Sequence, residues 1–173
     1  MRLKPSAISI AGILLLSVIV CPTLAYNTNE IDVTIQADGS ATIIADYNLN
    51  WGEYFAYTLM GNRDSIAEDA VEKLTGQDAT INYITSKKAS VTIPKFAKVL
   101  EKDGIINYVS PKFPYDSAGQ YIDEITEDFS LLRGFAPDVD DIVPEKTKIT
   151  FPDGYIITYE KPYPEGYIPS ITH

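Results

Sequence analysis

The stretch "IDVTIQADGSATIIADYNL", Ile31 to Leu49, decides the fold class. In its first half Ile31, Val33 and Ile35 alternate with Asp32, Thr34 and Gln36. Successive side chains of an extended chain point to opposite faces, so this spacing makes one apolar face and one polar face. Asp38-Gly39-Ser40 is a turn signal, and from Ala41 onward Ile43, Ala45, Tyr47 and Leu49 share a face. Two alternating runs around Asp-Gly predict a β-hairpin. Its apolar face must be covered by a second layer.

Working outward, the same pattern recurs. "ATINYITS" and "ASVTIPKF" flank Lys87-Lys88 and predict a second hairpin with the lysines solvated at its tip. "AKVLEKDGIINYVSP", Ala97 to Pro111, predicts a third, turning at Asp103-Gly104, with a helical turn over Ala97 to Lys102 as the alternative. Lys146 to Phe151 and Tyr155 to Glu160 form a fourth pair. Between the first two hairpins, "WGEYFAYTLM" (Trp51 to Met60) extends a strand broken at Gly52. Asp64 to Gly76 then reads as a helix. Ser65 and Glu68 form a capping box, Ile66, Ala70, Val71 and Leu74 fall on one face, and Gly76 is suited to end it. Ile122, Ile125, Phe129 and Leu132 have helical spacing and predict a second helical segment over 116–132. The fold class expected is therefore α+β. A mostly antiparallel sheet is built from hairpins, with the helix over 64–76 packed on one face in the order ββαββ, followed by further hairpins.

The first 25 residues have a different composition. Arg2 and Lys4 precede the apolar run "AISIAGILLLSVIVC" (Ala7 to Cys21), and Thr23-Leu24-Ala25 offers small residues for cleavage. This is the pattern of a secretory signal peptide. At about 1.5 Å per residue the run spans roughly 22 Å, short of the roughly 30 Å of a hydrocarbon core. The expectation is a signal peptide over 1–25 and a single exported domain over 26–173, in the cell envelope or outside the cell. A membrane contact would come through the N-terminal segment if it is retained. Cleavage removes the sole cysteine, Cys21, and the loss of Arg2 and Lys4 takes the formal charge from −10 to −12. So acidic a domain is a poor partner for nucleic acid.

Residues 151–173 are rich in tyrosine and proline, and they write one phrase twice: "FPDGYI" from Phe151 and "YPEGYI" from Tyr163. Pro followed by an acid and Gly is turn chemistry, so the phrase reads as a turn leading into an extended run. Ile168 to Thr172 would be a last short strand. Pro169 lacks an N–H and confines that strand to an edge. Tyr155, Tyr159, Tyr163 and Tyr167 would lie near it as anchors for a partner chain.

A residue census narrows the chemistry. His173 is the only histidine, so Ser-His, Cys-His and multi-histidine zinc chemistry all lack their base or ligands. Asp123, Glu124, Glu127 and Asp128 could pair on a helix for carboxylate-based hydrolysis, but nothing selects a pair. "DVDDIVPE" supplies Asp138, Asp140, Asp141 and Glu145, oxygen donors suited to calcium, without the glycine or spacing of an EF-hand. Calcium is thus the one cofactor the sequence offers. Trp51, Tyr54, Phe55 and Tyr57 form an aromatic cluster, of which Trp51 and Tyr54 could stack on a sugar or a partner side chain. The expected role is non-enzymatic: adhesion to, or assembly with, another envelope or extracellular component, a second copy of the chain included. A saccharide- or calcium-binding module is the alternative, and a carboxylate-based hydrolase the third reading.

Overall fold

The computed structural model describes residues 27–48, 79–113, 115 and 143–173. More than half of these lie in strands: β1 (Asn27–Ile35), β2 (Ala41–Asn48), β3 (Thr80–Ile84), β4 (Lys88–Ile93), β5 (Lys98–Lys102), β6 (Ile105–Val109), β7 (Lys146–Thr150) and β8 (Ile156–Glu160). All four predicted hairpins form, as β1–β2, β3–β4, β5–β6 and β7–β8. Asp38 holds the first turn by accepting from the Ser40 N–H (2.9 Å) and hydroxyl (2.6 Å), and these bonds lower its pKa.

The expected α+β class is corrected. Among the described residues there is no α-helix, a 3-10 turn occupies Pro164–Gly166, and the architecture is mostly β. The two helical predictions, 64–76 and 116–132, lie outside the described residues, as do 1–25 and the Trp51 to Met60 segment. The amphipathic pattern at 64–76 predicts a helix that covers the sheet. Within the described chain that role falls to irregular segments carrying large side chains. Phe96, Phe113, Tyr115, Tyr163 and Ile168 are all buried, in one core with the apolar face of the sheet.

The sheet has six strands in the order β3-β4-β2-β1-β7-β8, and β5–β6 stands apart as a two-stranded ribbon. The pairing is antiparallel except that β1 runs parallel to β7, with Ile31 beside Thr147 and Val33 beside Ile149. The inward residues are those the alternation assigned: Ile31, Val33, Ile35, Ala41, Ile43, Ala45 and Tyr47, joined by Ala89, Val91, Ile93 and Ile149.

The opposite face is polar, and register aligns it in rows. Thr80, Thr92, Thr42, Thr34 and Thr150 stand side by side across five strands, with Ile156 next in line. A parallel row carries ion pairs, Lys88 with Asp46 (2.9 Å) and Lys146 with Glu30 (2.7 Å), which raise both lysine pKa values. Such a face can stay in water while its other side is packed.

Candidate functional site

Two exposed features and one buried polar cluster stand out. The first exposed feature is the β5–β6 ribbon. Its root is clamped: the Ala97 N–H donates to the Gly39 carbonyl (2.8 Å), and the Tyr108 hydroxyl reaches the Ala37 carbonyl (3.4 Å). The C-terminal segment completes the clamp. Tyr108 and His173 exchange backbone bonds of 2.7 and 3.0 Å, and the Ser110 N–H donates to the Ile171 carbonyl (2.9 Å). On this ribbon Val99, Leu100, Ile105 and Ile106 are exposed, Leu100 at 52% and Ile105 at 64%.

Register places Val99 and Ile106 on one face of the ribbon and Leu100 and Ile105 on the other. Apolar side chains on both faces cannot be buried by one flat surface. Lys95, Lys98, Lys102 and Lys112 outweigh Glu101 and Asp103 here, in a chain of formal charge −10. The sequence held a signal for this site. Val99-Leu100 and Ile105-Ile106 are adjacent apolar pairs, and adjacency in a strand means exposure on both sides of a two-stranded ribbon.

The second feature is the outer edge of β8. The Phe151 N–H donates to the Tyr155 carbonyl (2.8 Å) and the Lys161 N–H to the Glu145 carbonyl (2.9 Å). With the β7–β8 register these bonds set the phase of the ladder. Tyr155, Ile157, Tyr159 and Lys161 turn their backbone groups toward β7. Ile156, Thr158 and Glu160 turn theirs away from it.

The buried cluster joins three hydroxyls. Tyr115 and Thr147 share a bond of 2.8 Å, Thr147 and Tyr163 one of 3.1 Å, and the Tyr163 hydroxyl donates to the Pro144 carbonyl (2.8 Å). Burial pushes the Tyr115 phenol far up and the Tyr163 phenol up to about 12. A phenol that ionises less readily when folded contributes stability below its unfolded pKa, near 10, and loses it as pH rises toward the folded value. Stability should therefore fall above pH 10 by roughly 1.4 kcal/mol per pH unit for each such tyrosine. Tyr163→Phe should flatten that slope, while costing about 1–3 kcal/mol at neutral pH because the buried Pro144 carbonyl loses its donor. Urea midpoints between pH 8 and pH 11.5 check both; equal slopes in the two proteins would refute the assignment.

The residues singled out from sequence have different fates. Trp51, Tyr54, Asp138, Asp140 and Asp141 lie outside the described residues. Glu145 is exposed and pairs with Lys161 (3.6 Å). No group of three or more His, Cys, Asp or Glu side chains suited to a metal occurs among the described residues. The four tail tyrosines differ in their surroundings. Tyr163 is buried, Tyr159 is packed at the margin of the core, and Tyr167 lies under the Lys112 ammonium at 3.5 Å. Tyr155 is exposed and stacks on the His173 ring at 4.2 Å. His173 Nε2 meets Asp153 Oδ2 at 2.7 Å, and this bond, with one from the Tyr155 N–H, lowers the Asp153 pKa. Both copies of the repeated phrase are turns. Gly154 (φ 88°) closes the β7–β8 hairpin, and Gly166 (φ 73°) ends the 3-10 turn. Comparison with known proteins returned no matching family model, no matching curated protein and no matching solved structure.

Proposed function

We propose that this is an exported, non-enzymatic component of the cell envelope or extracellular space, and that it attaches to another component through the β5–β6 ribbon. The observation that carries this reading is the ribbon's exposed apolar quartet on a clamped root. Large exposed apolar side chains concentrated on one two-stranded ribbon mark an interaction site rather than ordinary surface. Its lysines favour an acidic partner. His173, the only histidine, is engaged by Asp153 and Tyr155, which agrees with a structural use of that ring.

The test uses isolated envelopes of the producing organism. The purified protein should co-sediment with them, and Leu100→Asp and Ile106→Asp, one on each face, should each reduce the bound fraction at least tenfold. Both positions are exposed, so the fold should tolerate the changes. Binding unchanged in both variants would overturn the reading.

A further inference from the structure

We infer that the open edge of β8 is a self-association site, at which a second copy of this chain adds antiparallel to form one continuous sheet. This site is independent of the β5–β6 ribbon. The outward backbone groups of Ile156, Thr158 and Glu160 make no hydrogen bond among the described residues. Edge strands are commonly protected by lysine, proline or a bulge. The run Ile156–Glu160 contains neither residue, and its pairing with β7 proceeds without a register shift. The opposite edge of the sheet is different, because β3 carries an irregularity between Ile81 and Tyr83.

Symmetry selects the register. A twofold axis perpendicular to a sheet pairs residues of the same face, and it must bring outward backbone groups together. Centring on Thr158 satisfies both conditions and overlaps all five residues of β8. Thr158 then bonds Thr158 of the second copy, and Ile156 bonds Glu160 of the second copy, twice by symmetry. On the core side Ile157 meets Tyr159 of the second copy. That is an aromatic–β-branched pair, a favourable cross-strand combination, between side chains each copy leaves partly buried at the margin of its core. On the polar face threonine meets threonine, and Ile156, 51% exposed in one copy, gains cover. Glu160 sits opposite Lys146 on the neighbouring strand, which offsets its charge at the seam.

The outer edge of β5 offers no equivalent. Tyr108 turns its backbone groups to His173, so the outward groups of β5 are those of Val99 and Glu101. A twofold centred on Glu101 sets two carboxylates opposite each other, which is destabilising, and one centred on Val99 calls on the Ala97 N–H, which already donates to Gly39. The β8 edge is therefore the self-complementary one. A five-residue seam is small beside a standard interface, so the dimer should be reversible, with a dissociation constant on the order of micromolar.

Sedimentation velocity of the purified protein over a concentration series tests this. The expected result is a shift from monomer to dimer as concentration rises. Thr158→Lys and Thr158→Glu each place like charges opposite one another on the twofold axis, and each should move the midpoint at least tenfold higher. An equimolar mixture of the two variants should restore it. Thr158 is exposed, so both variants should remain folded, which circular dichroism melts check. A wild-type protein that stays monomeric to about 1 mM, or variants that associate as well as wild type, would overturn the inference. So would a mixture that fails to restore dimers.

Discussion

Ending the chain after Lys161 is expected to abolish cooperative unfolding. The 12 residues removed include Tyr163 and Ile168, both buried in the core, and Ile171, packed against it. They also include the backbone partners of Tyr108, Ser110 and Phe113. Phe113 and Ile168 exchange two backbone bonds, of 2.9 and 3.0 Å, and Phe113 is fully buried. Each large-to-small loss in a core costs about 2–5 kcal/mol, against a total stability of about 5–15 kcal/mol. Losing these groups together should leave a chain that collapses without a sharp transition. Circular dichroism and calorimetric melts of the shortened protein measure it. A single sharp transition near that of the full chain would show that the tail is dispensable, contrary to its burial.

Gly39→Ala should lower the melting temperature by about 10 °C, the shift expected for a loss of roughly 3 kcal/mol in a domain of this size. Gly39 has φ 82°, where a side chain costs about 1–2 kcal/mol. A Cβ added there would lie 2.6 Å from the Ala97 carbonyl oxygen and 2.9 Å from Val99 Cγ2. Real Cβ contacts are not that short, so the first hairpin's turn and the root of the ribbon would have to separate. The bond from Ala97 to Gly39 would weaken with them. Gly154→Ala is the matched control. Its φ is 88°, but an added Cβ meets nothing within 4 Å. That change should cost only the backbone share, about 1–2 kcal/mol. Equal losses at the two glycines would mean that close approach at Gly39 contributes nothing.

Local patterns carried much of the fold. The alternation in Ile31 to Leu49 identified the inward side chains of β1 and β2, and Asp-Gly located the turns at Gly39 and Gly104. Such signals act over a few residues, where the period of a strand and the φ of a turn residue are decided. What depends on distant partners was not legible. Nothing in Lys146–Thr150 announces that it lies parallel to β1. The tail read as a peripheral edge because Pro169 lacks an N–H, yet Ile168 one residue earlier is fully buried. Proline restricts backbone bonding and says nothing about its neighbour's burial. Of the candidate surfaces, the ribbon was readable from its paired apolar residues. The β8 edge was not, because an edge is a property of strand order.

The parallel seam between β1 and β7 also governs the order in which the molecule can be completed. β1 ends at Ile35 and β7 begins at Lys146, so more than 100 residues must be synthesised between the two halves of one ladder. Until then one side of β1 has β2 as its neighbour and the other has none. Contacts this far apart in sequence form late and slowly, since a long loop must close before they stabilise anything. A nascent chain with its central strand half-matched is exposed to intermolecular pairing. Refolding from urea should therefore be limited by the arrival of β7, and the yield of native protein should fall as chain concentration rises.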